Sequence, residues 1–248
     1  MLNDQIKNYW EGEAGIYSEG IKAELQGPTR QAWKDLVLMH APHTGSLQIL
    51  DVGCGPGFFP VILGEEGHHV TGIDITENMI KEAKANVAAA GQTAELLTMD
   101  CHHLEYPEDT FDIIICRNLT WTLDDPRIAY KEWLRVLKPG GRLLVFDACW
   151  YLHLFDEEMK KIYLAHDEAM KVKYGRGIHD HKDSETGAEL STQLFMSDKK
   201  RPLWDMDEMI KLGFSKVFCQ PDISDLVRHG MEKELCKLTP QFLVGGEK

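Results

Sequence analysis

The sequence lacks the features that mark a secreted, disulfide-stapled or membrane-spanning chain. Its six cysteines are scattered and form no Cys-x-x-Cys pair, which argues against a disulfide framework and favours reduced, buried thiols. No apolar run approaches the roughly 20 residues that a bilayer requires, and the first ten residues lack the apolar core of a signal peptide. We therefore expect a cytoplasmic location and no membrane contact.

Basic residues are also scarce. Lys and Arg number 27 against 40 Asp and Glu, which gives a formal net charge of −13 and leaves no basic run. Because an acidic surface repels phosphate groups, we expect no nucleic-acid partner. An apolar fraction of 43% is enough for a folded core, and 248 residues suit one large domain with a cap. The oligomeric state stays open.

Strand-like and helix-like segments alternate along residues 46–150. Five apolar runs of strand type are separated by helix-like segments and, between the third and the fourth run, by a short loop. This alternation predicts an α/β fold with a parallel sheet covered by helices on both faces. In such sheets, ligands bind beyond the carboxyl ends of the strands. The segments "LWDMDEMIKLGF", "SKVFCQ" and "TPQFLVGG" in residues 203–248 are expected to complete the sheet.

Two further regions flank this core. Residues 1–45 are predicted to form a helical cap, and residues 151–202 a helical lid after the fifth strand. The apolar stripe of the cap comprises Ile6, Trp10, Tyr17 and Ile21, and that of the lid comprises Phe155, Met159, Ile162, His166 and Met170.

The segment "ILDVGCGPGFF" places three glycines, Gly53, Gly55 and Gly57, at alternate positions after an apolar run. Glycine permits a sharp turn and removes the Cβ atoms that would block a ligand, while the following helix points free N–H groups at the same space. A dinucleotide pyrophosphate would require G-x-G-x-x-G, but here Phe58 takes the next position and the third glycine arrives one residue early. A purely structural turn is the simpler alternative.

Four ordered motifs resemble those of the class I S-adenosylmethionine-dependent methyltransferases. "ILDVGCGPGFF" is similar to the first motif, "VTGIDITENMI" to the second, and "MDCHHLEYPEDTFDIIIC" to the third. "EWLRVLKPGGRLLVFD" resembles the branch that includes the quinone-biosynthesis enzymes. The resemblance covers residues 46–148 and implies a doubly wound, mostly parallel, seven-stranded Rossmann-like methyltransferase fold.

The resemblance also implies a cofactor site for S-adenosyl-L-methionine and its product S-adenosyl-L-homocysteine. Asp74 would accept hydrogen bonds from the ribose hydroxyls, and Asp100 from the adenine amino group, beside the Cys101 backbone N–H. The simpler alternatives are a helix N-terminal charge for Asp74 and a solvated loop carboxylate for Asp100. The other expected cofactor contacts are Tyr17, Arg30, Asp51, Gly53, Gly55, Gly57, Ile75, Met79 and Asn118.

Catalysis of methyl transfer requires the nucleophile to be held in line with the methyl group, and a base only where the nucleophile is protonated. The candidates are Asn118 and Trp121 after the fourth strand, His153 as a base, and Tyr17 from the cap. Trp121 and Tyr17 have packing roles as alternatives, and His166 reads as a packed histidine. At most one of His102 and His103 is expected to face the site. His179 and His181 read as solvated side chains, so no metal is expected.

The sequence predicts methyl transfer to a small molecule or peptide, with oxygen, nitrogen and sulfur acceptors all open and a carboxylate among them. The large cap and lid suit a natural-product substrate. An Asn/Asp-Pro-Pro-aromatic motif, typical of nucleic-acid and amide-nitrogen methylation, does not follow the fourth strand. Two alternatives remain: a methyltransferase-like subunit without catalysis, and a nicotinamide-dependent oxidoreductase.

Overall fold

The core of the protein, seen in a computed structural model that describes residues 2–178 and 190–248, is a mixed seven-stranded sheet. Its strand order is β3-β2-β1-β4-β5-β7-β6. The strands are β1 (Gln48–Val52), β2 (His69–Asp74), β3 (Glu95–Thr98), β4 (Phe111–Arg117), β5 (Leu137–Asp147), β6 (Lys216–Gln220) and β7 (Phe242–Glu247).

Strands β1 to β5 pair in parallel, whereas β7 lies antiparallel between β5 and β6. Parallel strands buried on both faces read as continuous apolar runs, which is why β4 contains three successive isoleucines that are fully buried. The predicted doubly wound, mostly parallel seven-stranded fold is confirmed, with one antiparallel strand.

Helices cover both faces of the sheet. One apolar cluster packs the first four helices on one face, and a second packs α5 and α7 on the other. The helices are α1 (Leu2–Leu25), α2 (Arg30–Leu38), α3 (Phe58–Gly64), α4 (Glu77–Ala89), α5 (Pro126–Val136), α6 (Glu157–Tyr174), α7 (Leu203–Leu212), α8 (Ser224–Val227) and α9 (Gly230–Leu235).

The segments differ in detail from their sequence patterns. Helix α5 ends at Val136 because Leu137 has an extended backbone and begins β5, so the Pro-Gly-Gly segment lies within the strand. There Gly140 has a left-handed φ of 78° and donates its N–H to the carbonyl of Lys248. In α6 the buried side chains are Tyr163 and Met170, whereas Ile162 is exposed. The division into cap, core and lid stays a prediction.

Across the described residues, no helix combines the length and the apolar character needed to cross a bilayer.

Candidate functional site

The glycine turn follows β1 directly. Gly53, Gly55 and Gly57 have φ angles of 66°, 49° and 88°, a region that residues with a Cβ rarely adopt. A Cβ at Gly53 would lie 2.8 Å from the Leu119 side chain, and one at Gly55 would lie 3.5 Å from the Tyr17 ring. These two glycines therefore keep space open between the turn and its neighbours.

Gly57 has a different environment. A Cβ there would meet the Cβ of Ala83 in α4 at 3.2 Å, and Gly57 is the residue that precedes the first turn of α3. It lines neither of the cavities described below. Its glycine thus permits the close packing of α3 against α4, and the structure does not place it at the ligand space.

Asp74, the last residue of β2, holds the glycine turn in place. One carboxylate oxygen accepts the backbone N–H of Gly55 at 3.0 Å. The other accepts the backbone N–H of Thr76 at 3.0 Å and the Thr76 hydroxyl at 2.7 Å. Burial raises the pKa of this carboxyl, and the three hydrogen bonds oppose the shift. Two carboxylate oxygens offer about four acceptor positions, so one remains for a ligand hydroxyl.

A small cavity of about 100 Å³ lies beyond the carboxyl ends of β1, β2 and β4. It brings together residues from five separate segments of the chain, as expected for the ligand edge of a doubly wound sheet. The predicted residues that line it are Tyr17, Gly53, Gly55, Asp74, Ile75, Met79, Asp100, Cys101 and Asn118.

Asp100 is held at the edge of this cavity by a histidine between two carboxylates. Its Oδ1 accepts the backbone N–H of His102 at 2.9 Å and lies 2.8 Å from Nδ1 of the same ring. The other ring nitrogen lies 3.3 Å from Oδ1 of Asp124. The hydrogen bond from His102 lowers the pKa of Asp100 to about 2. Burial disfavours a charged His102, but Asp100 and Asp124 outweigh it and raise the pKa of the ring.

Asp100, Cys101 and His102 place three potential ligand atoms within 4.8 Å of one another. Burial raises the pKa of the Cys101 thiol, which disfavours the thiolate that a metal would bind. Internal hydrogen bonds account for Asp100 and for Nδ1 of His102, whereas the contact of Nε2 with Asp124 is an ion pair without a hydrogen bond. His179 and His181 lie outside the described residues, so the expectation of no metal stays a prediction.

A second, larger cavity of about 740 Å³ meets the first at Tyr17 and Asn118. A hydrogen bond joins these two side chains, and burial raises the pKa of the Tyr17 phenol. The Oδ1 atom of Asn118 also accepts a hydrogen bond from Gln241 at 3.1 Å. The meeting point is therefore lined by polar atoms with fixed positions.

Arg117, which the sequence analysis missed, also lies where the cavities meet. Its guanidinium donates two hydrogen bonds to the Glu24 carboxylate, at 2.6 and 3.1 Å, and lies over the Phe58 ring at 4.3 Å. Arg117 could have been found from the sequence, because it directly follows the apolar run "FDIIIC" at the expected end of a strand. This pair connects the end of β4 to α1.

Aromatic side chains form much of the larger cavity. The Trp10 ring contacts both Tyr17 and Trp121, with centroid distances of 5.8 and 6.4 Å. Trp150 and Tyr151 line the same space from the segment after β5. Such a wall suits a small molecule with an apolar body or a cationic group.

Asp147, at the end of β5, contacts two of these tryptophans. Its Oδ2 accepts the backbone N–H of Trp121 at 3.0 Å, and its Oδ1 accepts the indole N–H of Trp150 at 2.9 Å. The side chains of Thr120 and Arg201 also donate to Oδ2. The buried carboxylate thus orients the Trp150 ring and holds the backbone at Trp121, whose own indole N–H donates to the carbonyl of Asn118.

Besides Gly57, three predicted residues line neither cavity. Asp51 is buried in β1, and burial raises the pKa of its carboxyl to about 8. Arg30 pairs with Glu65 beyond α3 instead of facing a cofactor carboxylate. His153 stacks face to face on Tyr163 with a centroid distance of 3.7 Å, and burial lowers its pKa to about 4. The structure therefore does not support His153 as a base or Arg30 as a cofactor contact.

Three further histidines, His102, His103 and His166, lie where the sequence analysis expected them. His102 lines the smaller cavity, whereas His103 has an exposed ring that lines neither cavity. The ring of His166 lies 2.9 Å from the carbonyl of Glu234, which accounts for it as a packed histidine. Neither His103 nor His166 lines either cavity.

Residues 50–145 match the family described as "Methyltransferase domain". They form a class I S-adenosylmethionine-dependent methyltransferase domain. Every predicted residue that lines the smaller cavity, except Tyr17, lies within this domain. The resemblance drawn from the four motifs is confirmed.

Relatives of the methyltransferase domain act on different substrates. Phosphoethanolamine N-methyltransferase 1 of Arabidopsis thaliana is 32% identical over 186 residues, which are 73% of this chain and 37% of that protein. The UbiE ubiquinone/menaquinone biosynthesis C-methyltransferase of Paraburkholderia xenovorans is 28% identical over 200 residues, 78% of this chain and 79% of that protein. This chain therefore spans 37% of the length of the plant relative.

Solved structures share the fold of the methyltransferase domain and its flanks. A SAM-dependent methyltransferase from Aquifex aeolicus superposes with a TM-score of 0.58 at 18% identity, covering 93% of this chain and 97% of that one. The match extends well beyond residues 50–145, so the fold similarity includes parts of the cap and the C-terminal strands.

Proposed function

We propose that the chain transfers a methyl group from S-adenosyl-L-methionine to a small molecule. The observation that supports this most is the smaller cavity, where the glycine turn, Asp74 and Asp100 meet the cap residue Tyr17. A non-catalytic subunit would not need Asn118 and the tryptophans fixed at the opening to a second cavity.

The residues of the smaller cavity fit this cofactor. Gly53 and Gly55 leave open the space that Cβ atoms would fill, and Asp74 retains an acceptor position for a ribose hydroxyl. Asp100 is kept ionised by His102 and can accept from an amino group. Met79 and Ile75 supply apolar surface for a base. When bound, the cofactor supplies an activated methyl group on a sulfonium.

The residues at the meeting point of the cavities would orient the acceptor. Asn118 and Tyr17 offer fixed polar atoms, and Trp10 and Trp121 restrict the acceptor's position and exclude water. Positioning of this kind can lower the activation barrier by up to roughly 7–11 kcal/mol. An electron-rich aromatic wall also stabilises a cation, so a small amine is the first acceptor class to test.

Cofactor binding is tested at Asp74. Asp74→Asn replaces the acceptor of the Gly55 N–H and the ribose acceptor with a group that can also donate, so we expect binding at least about tenfold weaker. Isothermal titration calorimetry with S-adenosylmethionine and S-adenosylhomocysteine measures this. Glu82→Gln, at a half-buried carboxylate of α4 that lines neither cavity, is the matched control and should bind as the wild type does. Equal affinity in the two variants, with Asp74→Asn folded, would contradict the proposed pose.

Methyl transfer itself is tested with a cofactor that carries a labelled methyl group. Phosphoethanolamine, the substrate named for the plant relatives, is the first single acceptor, and a fractionated cell extract supplies the others. Mild alkali releases the label as methanol from a methyl ester but not from an amine. Tight cofactor binding without transfer to any acceptor would favour the non-catalytic alternative, and tight nicotinamide binding would favour an oxidoreductase.

A further inference from the structure

Three arginines line the larger cavity, and they differ in how their charge is balanced. Arg117 is neutralised by Glu24 through two hydrogen bonds. Arg176 and Arg228 form no ion pair with any carboxylate in the part of the chain that the structure describes. Their end of the cavity is therefore cationic, although the whole molecule is acidic.

Arg228 is a buried cation with neutral partners. It is 3% exposed and donates to the carbonyls of Cys236 and Thr239, at 3.2 and 2.7 Å, and to Oε1 of Gln241 at 3.0 Å. Burial of a charge without a counter-ion is unfavourable. Carbonyl and amide oxygens orient the guanidinium but leave its charge available to the cavity.

Arg176 follows the glycine that ends α6 and carries an unused donor. Its Nε atom is buried and has no hydrogen-bond partner. A buried unpaired donor is costly, and a ligand that accepts from it removes that cost. Both arginines line the larger cavity together with Cys236: burial raises the pKa of the Cys236 thiol, and the charges of Arg228 and Arg176 both oppose that shift.

Glu232 is the carboxyl group that could compete for these cations. It lines the same cavity, but no ion pair joins it to Arg176 or Arg228 among the described residues. Burial raises the pKa of the Glu232 carboxyl despite the charge of Arg228. Glu232 is thus a poor counter-ion, and the space between the arginines and the aromatic wall stays suited to an anion.

We propose that Arg176 and Arg228 form a subsite for an oxyanion, a phosphate or a carboxylate, that the methyl acceptor carries. Arg228 donates to Gln241, which donates to Asn118, so two hydrogen bonds connect the subsite to the meeting point of the cavities. An acceptor anchored by its anionic end would present its nucleophile beside Asn118 and Tyr17. The role of the subsite in holding a methyl acceptor rests on the proposed function, whereas anion binding itself is tested without cofactor.

Two probes separate the sources of the anion. Binding of inorganic phosphate is measured by ³¹P NMR line broadening, and binding of 4-fluorobenzoate by ¹⁹F NMR, both without cofactor. We expect at least one probe to bind the wild type, and Arg176→Met to weaken it about tenfold by removing a charge-assisted donor. Arg176→Lys should retain part of the affinity because it keeps the charge. The probe that binds identifies the anion as phosphate or carboxylate.

Lys161→Met is the matched control, because it removes an exposed cation of α6 that lines neither cavity. Affinity unchanged in Arg176→Met, lost equally in Lys161→Met, or absent for both probes in the wild type would overturn the subsite. Anion binding with the expected variant pattern but without methyl transfer would sustain the subsite and contradict the proposed function. Methyl transfer that does not depend on an anionic group in the acceptor would support the proposed function and contradict the subsite.

Discussion

At the scale of residues, neighbours decide what each side chain of the site can do. The hydrogen bond from His102 lowers the pKa of Asp100, and Asp74 accepts one hydrogen bond from the glycine turn and two from Thr76. The same carboxylates without these partners would differ in pKa and orientation. A residue type at a strand end is therefore only part of a ligand site.

His153 gives a prediction about pH. Its pKa of about 4 means that the folded protein does not take up the proton that the unfolded chain binds below its ordinary pKa of 6.5. Stability should therefore fall as pH drops from about 6.5 toward 4. His153→Phe keeps a ring on Tyr163 and removes the proton site, so its free energy of unfolding should change less between pH 7 and pH 5. Urea unfolding at both pH values measures this.

The exposed ring of His103 supplies the control for that experiment. His103→Gln should keep the pH dependence of the wild type. Because His153 lies outside both cavities, His153→Phe should also retain methyl transfer. A folded His153→Phe protein without transfer would restore His153 as a catalytic candidate.

Asn118 combines a left-handed backbone with a side chain at the meeting point of the cavities. Its φ is 55°, which glycine adopts freely and alanine does not. Asn118→Ala should thus be less stable than Asn118→Gly by about 1 kcal/mol. Both variants lose the hydrogen bond from Gln241 and should transfer methyl groups about tenfold more slowly. Equal rates in Asn118→Gly and the wild type would show that the side chain does not position the acceptor.

At the scale of elements, α1 supplies a cap for α4. The Glu11 carboxylate accepts the backbone N–H groups of Glu77 and Asn78, at 2.8 and 3.0 Å. The N-cap residue Thr76 makes no side-chain cap hydrogen bond, and its hydroxyl instead donates to Asp74. The first turn of α4, which follows the ligand-facing end of β2, is thus completed by a residue 66 positions away.

Removal of this cap should loosen α1. Glu11→Ala leaves two helix N–H groups unpaired and should lower the free energy of unfolding by about 1 kcal/mol. It should also speed hydrogen exchange in α1 and weaken cofactor binding, because Trp10 and Tyr17 lie on this helix. Glu19→Ala, an exposed carboxylate of the same helix, should change none of these. Exchange confined to α4 would instead mean that Glu11 caps α4 without docking α1.

At the scale of the whole molecule, one buried ionic network joins the core to the C-terminal third of the described chain. Arg201 donates to Asp147 at the end of β5 and to Asp205 in α7. Tyr130 of α5 donates to Asp205 at 2.6 Å. The arginine and both carboxylates are fully buried, so the two carboxylates depend on one guanidinium as their counter-ion.

Loss of the central cation should therefore be severe. Arg201→Met leaves two buried carboxylates without a cationic partner and should cost about 3–5 kcal/mol in urea unfolding. Addition of Asp205→Asn to that variant should recover part of the loss, because one unpaired charge is removed. Arg127→Met, which breaks an exposed pair with Asp125, should have little effect. A small loss in Arg201→Met would mean that water reaches the network.

The sequence by itself determined the sheet, the glycine turn and the carboxylates at the ends of β2 and β3, because these depend on short apolar runs and on backbone conformations that only glycine adopts. It also determined the family, through four motifs in order. Only the tertiary structure decided which residues from the flanks face the site: it brought Tyr17 and Arg117 together and placed Arg30 and His153 elsewhere. The tertiary structure also decided that Arg176 and Arg228 line the same cavity. Helix docking and side-chain direction in these regions depend on contacts between residues far apart in the chain. Local sequence patterns do not predict such contacts.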